Sequence, residues 1–89
     1  MKKVIATVDA PKAVGPYSQA IEVNGTLYIS GQIPVNPADG KIQEEITAAA
    51  HQSLKNIGAI LKEAGMTYDN VVKTTVLLAD IADFKAVNE

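Results

Sequence analysis

Apolar positions recur along this chain with two different periods, and the change of period divides it into elements. Over residues 43–64 the apolar or small residues Ile46, Ala49, Ala50, Ser53, Leu54, Ile57, Ile60, Leu61 and Ala64 fall three and four apart. That spacing predicts one amphipathic helix. Glu44 and Glu45 fall in its first turn and Lys62 near its last, which suits the helix dipole, and Gly65 is placed to stop it. His51, Gln52, Lys55 and Asn56 lie off the stripe and predict a solvated face.

Before that helix the pattern is β-like. Residues 3–8 carry β-branched Val4, Ile5, Thr7 and Val8, a short strand ended by Asp9-Ala10-Pro11. Ala20 to Val23 and Thr26 to Ser30 flank Asn24-Gly25, a pair that accepts the positive φ angles of a type I′ turn, so these residues predict a β-hairpin. After the helix, Val71, Val72, Thr74, Thr75, Val76, Leu77 and Leu78 predict a strand over residues 70–79, apolar on both faces apart from Lys73. Strand, helix and strand in that order imply a β-α-β unit with parallel pairing and a right-handed crossover. Asp80 is placed to cap a last helix, with Asp83 in its first turn and Ile81, Phe84 and Val87 along one side.

Two loops stand out between these elements. Gly15-Pro16 signals a turn that delivers the hydroxyls of Tyr17 and Ser18 just ahead of the hairpin. Residues 30–40, Ser30-Gly31-Gln32-Ile33-Pro34-Val35-Asn36-Pro37-Ala38-Asp39-Gly40, leave the hairpin through a stretch stiffened by two prolines and turned by two glycines. A stiff loop on a rigid hairpin is a candidate ligand-facing surface.

Composition narrows the chemistry. With 89 residues, 47% of them hydrophobic and 20% charged, the chain is globular, and its length allows one domain near the lower limit for a self-sufficient core. A net charge of −2 without a basic cluster argues against nucleic acid as a partner. The lack of cysteine excludes disulfides, thiolate nucleophiles and cysteine-held metals, and the single histidine excludes a multi-histidine site. Lys2 and Lys3 precede apolar residues, but Asp9 and Pro11 interrupt the run well short of a signal peptide, so a cytoplasmic location without membrane partners is expected.

Taken together, Gly15-Pro16-Tyr17-Ser18-Gln19-Ala20, Ser30-Gly31-Gln32-Ile33-Pro34-Val35, Val72-Lys73-Thr74-Thr75-Val76 and Phe84-Lys85-Ala86-Val87-Asn88 closely resemble the Rid family of enamine and imine deaminases. The family is also named after a perchloric-acid-soluble ribonuclease. The resemblance covers the whole chain and implies an α+β, chorismate-mutase-like fold. In it a β-hairpin and a β-α-β unit place helices on one face of a mixed sheet, and three subunits assemble into a homotrimer with ligand clefts between them. It implies hydrolysis of reactive 2-imino acids, released by pyridoxal-phosphate enzymes, to 2-keto acids and ammonia, with no metal or bound cofactor. By the same resemblance Tyr17 and Ser30 line the pocket, Gly31 offers backbone groups to the ligand, Ile33 and Pro34 shape a wall, and Asn88 faces the cleft. A glycine would be needed at position 31 because a Cβ there would stand where substrate lies.

The family's carboxylate-clamping arginine and water-positioning glutamate have no counterpart before Glu89, and all eight basic residues are lysines. The sequence therefore reads as a single Rid-like domain, residues 1–89, incomplete at its C-terminus, with C-terminal strands missing and no catalytic residue identifiable within it. The alternatives are a binding or chaperone-like module using the same cleft without turnover and, remotely, an endoribonuclease.

Overall fold

A computed structural model describes residues 2–13, 15 and 17–88. Pro16, half of the expected Gly15-Pro16 turn, lies outside the described residues, as do Met1, Val14 and Glu89.

Three short strands, β1 (Lys2–Ile5), β2 (Ala20–Val23) and β3 (Thr26–Ile29), form an antiparallel sheet in the order β1-β2-β3. Between β2 and β3, Asn24 and Gly25 take φ angles of 50° and 82°, so the hairpin closes through the positive-φ turn that the dipeptide encodes. Lys2 pairs with Val23 and Ile5 with Ala20, after which β1 stops. The expected strand over residues 3–8 is thus shortened, and Gln19 is the reason. Its side-chain amide accepts from the Thr7 N–H (2.7 Å) and donates to the Thr7 carbonyl (3.1 Å), taking both groups that a strand neighbour would use. Val8, freed from the sheet, is exposed.

The long helix α1 spans Ile46–Glu63. Neither Glu44 nor Glu45 lies in its first turn. Glu45 is the N-cap, with extended backbone, and its carboxylate accepts from the Ala48 N–H at 2.7 Å. At the other end Gly65 adopts φ 76°, its N–H donates to the Lys62 carbonyl (3.0 Å) and the Met66 N–H to the Leu61 carbonyl (2.7 Å). This is the paired closure that a glycine just past a helix permits.

α1 meets the sheet through Ile60, which is buried with Ile5, Ala10 and Ala20 while Leu27, Ile29, Ala59 and Ala64 pack around them. The inward line of the helix differs from the expected stripe. Leu54 is 50% exposed, whereas Asn56, expected on the solvated face, is fully buried. The core and the loop at residues 33–35 lie on the side of Asn56 and Ile60, and that loop offers Asn56 hydrogen-bond partners.

After α1, Thr67 caps a single 3-10 turn over Tyr68–Asn70. Residues 71–78 then carry no strand ladder, with Val72 at 99% and Leu77 at 91% exposure. The strand expected over residues 70–79 and its parallel pairing are therefore not formed, and among the described residues the sheet pairs antiparallel throughout rather than mixed. β propensity expresses packing against cross-strand and same-face neighbours, and residues 71–77 are exposed, with no strand partner among the described residues. Asp80 then caps as expected, accepting from the Ala82 N–H at 2.9 Å. The 3-10 turn it opens, Ile81–Asp83, runs into the short helix α2 (Phe84–Asn88), which lies against α1.

Candidate functional site

The hairpin is the mount for both loops singled out in the sequence. Beyond Ile29 the Ser30 N–H still donates to the Gln19 carbonyl (3.0 Å), and the Ser30 hydroxyl donates to the Ser18 carbonyl (2.6 Å). Ser30 is thereby fixed to the residues that precede β2. On the same side the Tyr17 N–H donates to the Gly15 carbonyl (2.9 Å), a tight turn in which Gly15 has φ 109°, a conformation that L side chains rarely adopt. The result is an open cavity of about 350 Å³ lined by Tyr17, Ser18, Ala20, Ile21, Tyr28 and Ser30.

Its chemistry follows from how the hydroxyls are held. Because Ser30 spends its hydrogen on the Ser18 carbonyl, its oxygen remains as an acceptor, suited to an N–H or a water rather than to an anion. Its partner is a backbone carbonyl, not a base, so Ser30 is not arranged as an activated nucleophile. His51 lies elsewhere, exposed on α1.

The loop of residues 30–40 is ordered by its own polar groups. The Asn36 N–H donates to the Lys41 carbonyl (2.9 Å), the Gln43 N–H to the Pro34 carbonyl (2.9 Å), and Val35 and Ile42 form an isolated antiparallel bridge. The Asn36 side chain accepts from the Ala38 N–H (2.8 Å), and Gly40, at φ 72°, closes the turn. From below, the buried Asn56 amide donates to the carbonyls of Ile33 (3.2 Å) and Val35 (3.0 Å), while Gln52 donates to the Asn56 oxygen (2.9 Å).

Of the residues expected at the site, the structure brings Tyr17 and Ser30 to one opening and places the others nearby or apart. Gly31 follows Ser30 in an exposed position, and a Cβ built there would meet nothing within 4 Å, so nothing within the described chain demands a glycine. Ile33 is exposed on the loop, Pro34 is half-buried in it, and Asn88 is exposed on α2. None of these four lines the cavity at Tyr17. A second opening of about 520 Å³ separates α1 from the Asn36-Pro37-Ala38 turn, with Asp9, Lys55 and Lys62 on its walls.

Sequence reasoning missed Gln19 and Asn56. Asn56 had a usable signal, because it stands three residues after Ser53 and four before Ile60, a polar residue within an otherwise apolar line. Gln19 had none beyond its place in the motif.

The sequence profile described as endoribonuclease L-PSP matches residues 7–89. The chain belongs to the endoribonuclease L-PSP, or Rid, family. Among its relatives in that family, the human 2-iminobutanoate/2-iminopropanoate deaminase is 56% identical over 90 residues, covering all of this chain and 66% of the relative's length. A Yersinia pestis protein of unknown function from the Rid family, YyfA, superposes with a TM-score of 0.96 at 52% identity, over 99% of this chain and 71% of the other. E. coli TdcF with bound serine superposes with a TM-score of 0.94 at 40% identity, over 97% of this chain and 68% of the other. The chain thus spans about two thirds of the lengths of these Rid proteins and has their α+β fold. No helix among its described residues is long and apolar enough to cross a membrane.

Proposed function

We propose that this chain forms one wall of a 2-imino acid deaminase site in a single Rid-like domain, working in the cytoplasm as a homotrimer with clefts between subunits. The observation that carries the reading is the pairing of Tyr17 with a Ser30 hydroxyl whose hydrogen is already committed, in a family whose human relative is named for deaminating 2-iminobutanoate. In the reaction water adds to C2 of the imino acid, giving a carbinolamine. The C2–N bond then breaks as the C=O forms, and the hydroxyl proton passes to the departing nitrogen, which leaves as ammonia. The Ser30 oxygen would accept from the substrate nitrogen or orient the water. Tyr17 would close the pocket over it. Gly31 would meet the substrate's carboxylate end, with Ile33, Pro34 and Asn88 shaping the cleft.

The test adds the full chain to a threonine dehydratase reaction and follows 2-keto acid and ammonia. Accelerated release is expected, and release at the uncatalysed rate would overturn the proposal. Because all eight cations of these 89 residues are lysines, a ligand-binding module without turnover is the second reading. It predicts saturable binding of a 2-keto acid in the same assay with no acceleration.

A further inference from the structure

We infer that Asn56, oriented by Gln52, is a positioning residue for substrate, acting through the loop that follows Ser30. The inference rests on the deaminase reading above and assigns a role to two residues that touch no part of the cavity at Tyr17.

The loop's hydrogen bonds are uneven along its length. Residues 33–35 are tied down: the Ile33 carbonyl accepts from Asn56 and from the Val35 N–H (2.8 Å), the Pro34 carbonyl from the Gln43 N–H, and the Val35 carbonyl from Asn56. Just ahead of them the consecutive N–H groups of Gly31, Gln32 and Ile33 have no acceptor among the described residues, and the Gly31 and Gln32 carbonyls have no donor there. The anchored residues thus hold up a short segment whose backbone is open to a ligand, and its three N–H groups are of the kind a carboxylate requires.

Asn56 is what makes that arrangement durable. The Val35 carbonyl depends on its amide nitrogen alone and the Ile33 carbonyl shares that nitrogen with the Val35 N–H; Asn56 is fully buried, so no water substitutes for it there. An amide free to rotate would turn its oxygen toward those carbonyls. The Gln52 side chain prevents this by donating to the Asn56 oxygen, which leaves nitrogen as the only atom facing the loop. The helix therefore spends two side chains on holding a loop it does not otherwise need. Preorganising the loop spares the substrate the cost of ordering it, and that saving falls on binding rather than on the chemical step.

The test uses Gln52→Ala and Asn56→Asp in the full chain, with 2-iminobutanoate as substrate. Gln52→Ala, half-buried on α1, should raise KM about threefold to tenfold with kcat within about twofold, and Asn56→Asp should lose about 100-fold in kcat/KM. A merely structural role lowers the active fraction, and so kcat, at unchanged KM. That pattern, or an unchanged KM in Gln52→Ala, overturns the inference even if Asn56→Asp fails to fold. A wild-type chain that turns over no imine fails the deaminase reading instead, and the pair is then judged on binding of 2-oxobutanoate. Weaker binding by Gln52→Ala supports it; equal binding, or none by either chain, overturns it.

Discussion

The side-chain amide of Gln19 bonds to Thr7 as a neighbouring strand would, accepting from its N–H at 2.7 Å and donating to its carbonyl at 3.1 Å. The same nitrogen also reaches the carbonyls of Ala10 (3.3 Å) and Pro11 (2.8 Å), and the residue is 5% exposed. Gln19→Ala should therefore destabilise the full chain by about 2–4 kcal/mol, since it leaves several part-buried backbone groups without partners. Urea unfolding would measure this, and a loss below about 1 kcal/mol would show that water replaces the amide.

Ser30→Ala separates chemistry from folding. The substitution keeps the Ser30 N–H bond to Gln19 and loses only the hydroxyl bond to the Ser18 carbonyl, so stability should fall by about 1 kcal/mol and the chain should stay folded. Losing a hydroxyl that contacts a reacting group costs about 1.5–3 kcal/mol, which predicts about a tenfold to hundredfold fall in kcat/KM for 2-iminobutanoate. Unchanged kinetics would remove Ser30 from the site.

Much of the local geometry was legible because it is written in adjacent residues. Asn24-Gly25 announces its turn, Gly65 its helix end and Asp80 its cap, each through the backbone angles or the single acceptor its own residue type supplies. What was not legible depends on residues distant in sequence. Nothing near Thr7 says that Gln19 will end its strand. Leu54 and Asn56 exchange places because a loop more than twenty residues earlier offers carbonyls to one face of α1. At the site, the motif pointed to Tyr17 and Ser30, which line one opening. The same motif could not tell that Gly31, Ile33, Pro34 and Asn88 stand outside the cavity those two line.

Gly58 and Tyr68 are coupled in a way that inverts an ordinary expectation. Gly→Ala inside a helix usually stabilises by about 1 kcal/mol. A Cβ at Gly58, however, would overlap the Tyr68 hydroxyl, which donates to the Leu54 carbonyl at 2.6 Å. Tyr68 is half-exposed and can swing away at the cost of that bond, so Gly58→Ala alone should be close to neutral. In a Tyr68→Ala background it should stabilise by about 1 kcal/mol. Equal effects in the two backgrounds would refute the coupling.

Glu45 ties α1 to acidity. Hydrogen bonds from the Ala48 and then the Thr47 backbone hold its carboxyl below the usual glutamate range. A depressed folded value means that the unfolded chain binds the proton more readily. The cap's contribution is then complete above the ordinary glutamate value, near 4.3, and fades as pH falls through the lower folded value. Helix circular dichroism in Glu45→Gln should lose this portion of the acid dependence, because an amide oxygen accepts the same bond at every pH. Identical acid profiles for the two chains would rule the cap out as its source.

Residues 71–78 bear on how the chain behaves in company. From Thr74 to Ala79 there are six residues without charge, proline or glycine, rich in side chains that favour cross-β stacking, and Leu77 within them is almost wholly uncovered. Lys73 before them and Asp80 after them are the charges at their borders, in the places where natural sequences post gatekeepers against fibril growth. Replacing Lys73 with an apolar residue would leave a nine-residue adhesive segment over residues 71–79, and the solubility of the chain would then be set by its concentration rather than by its fold.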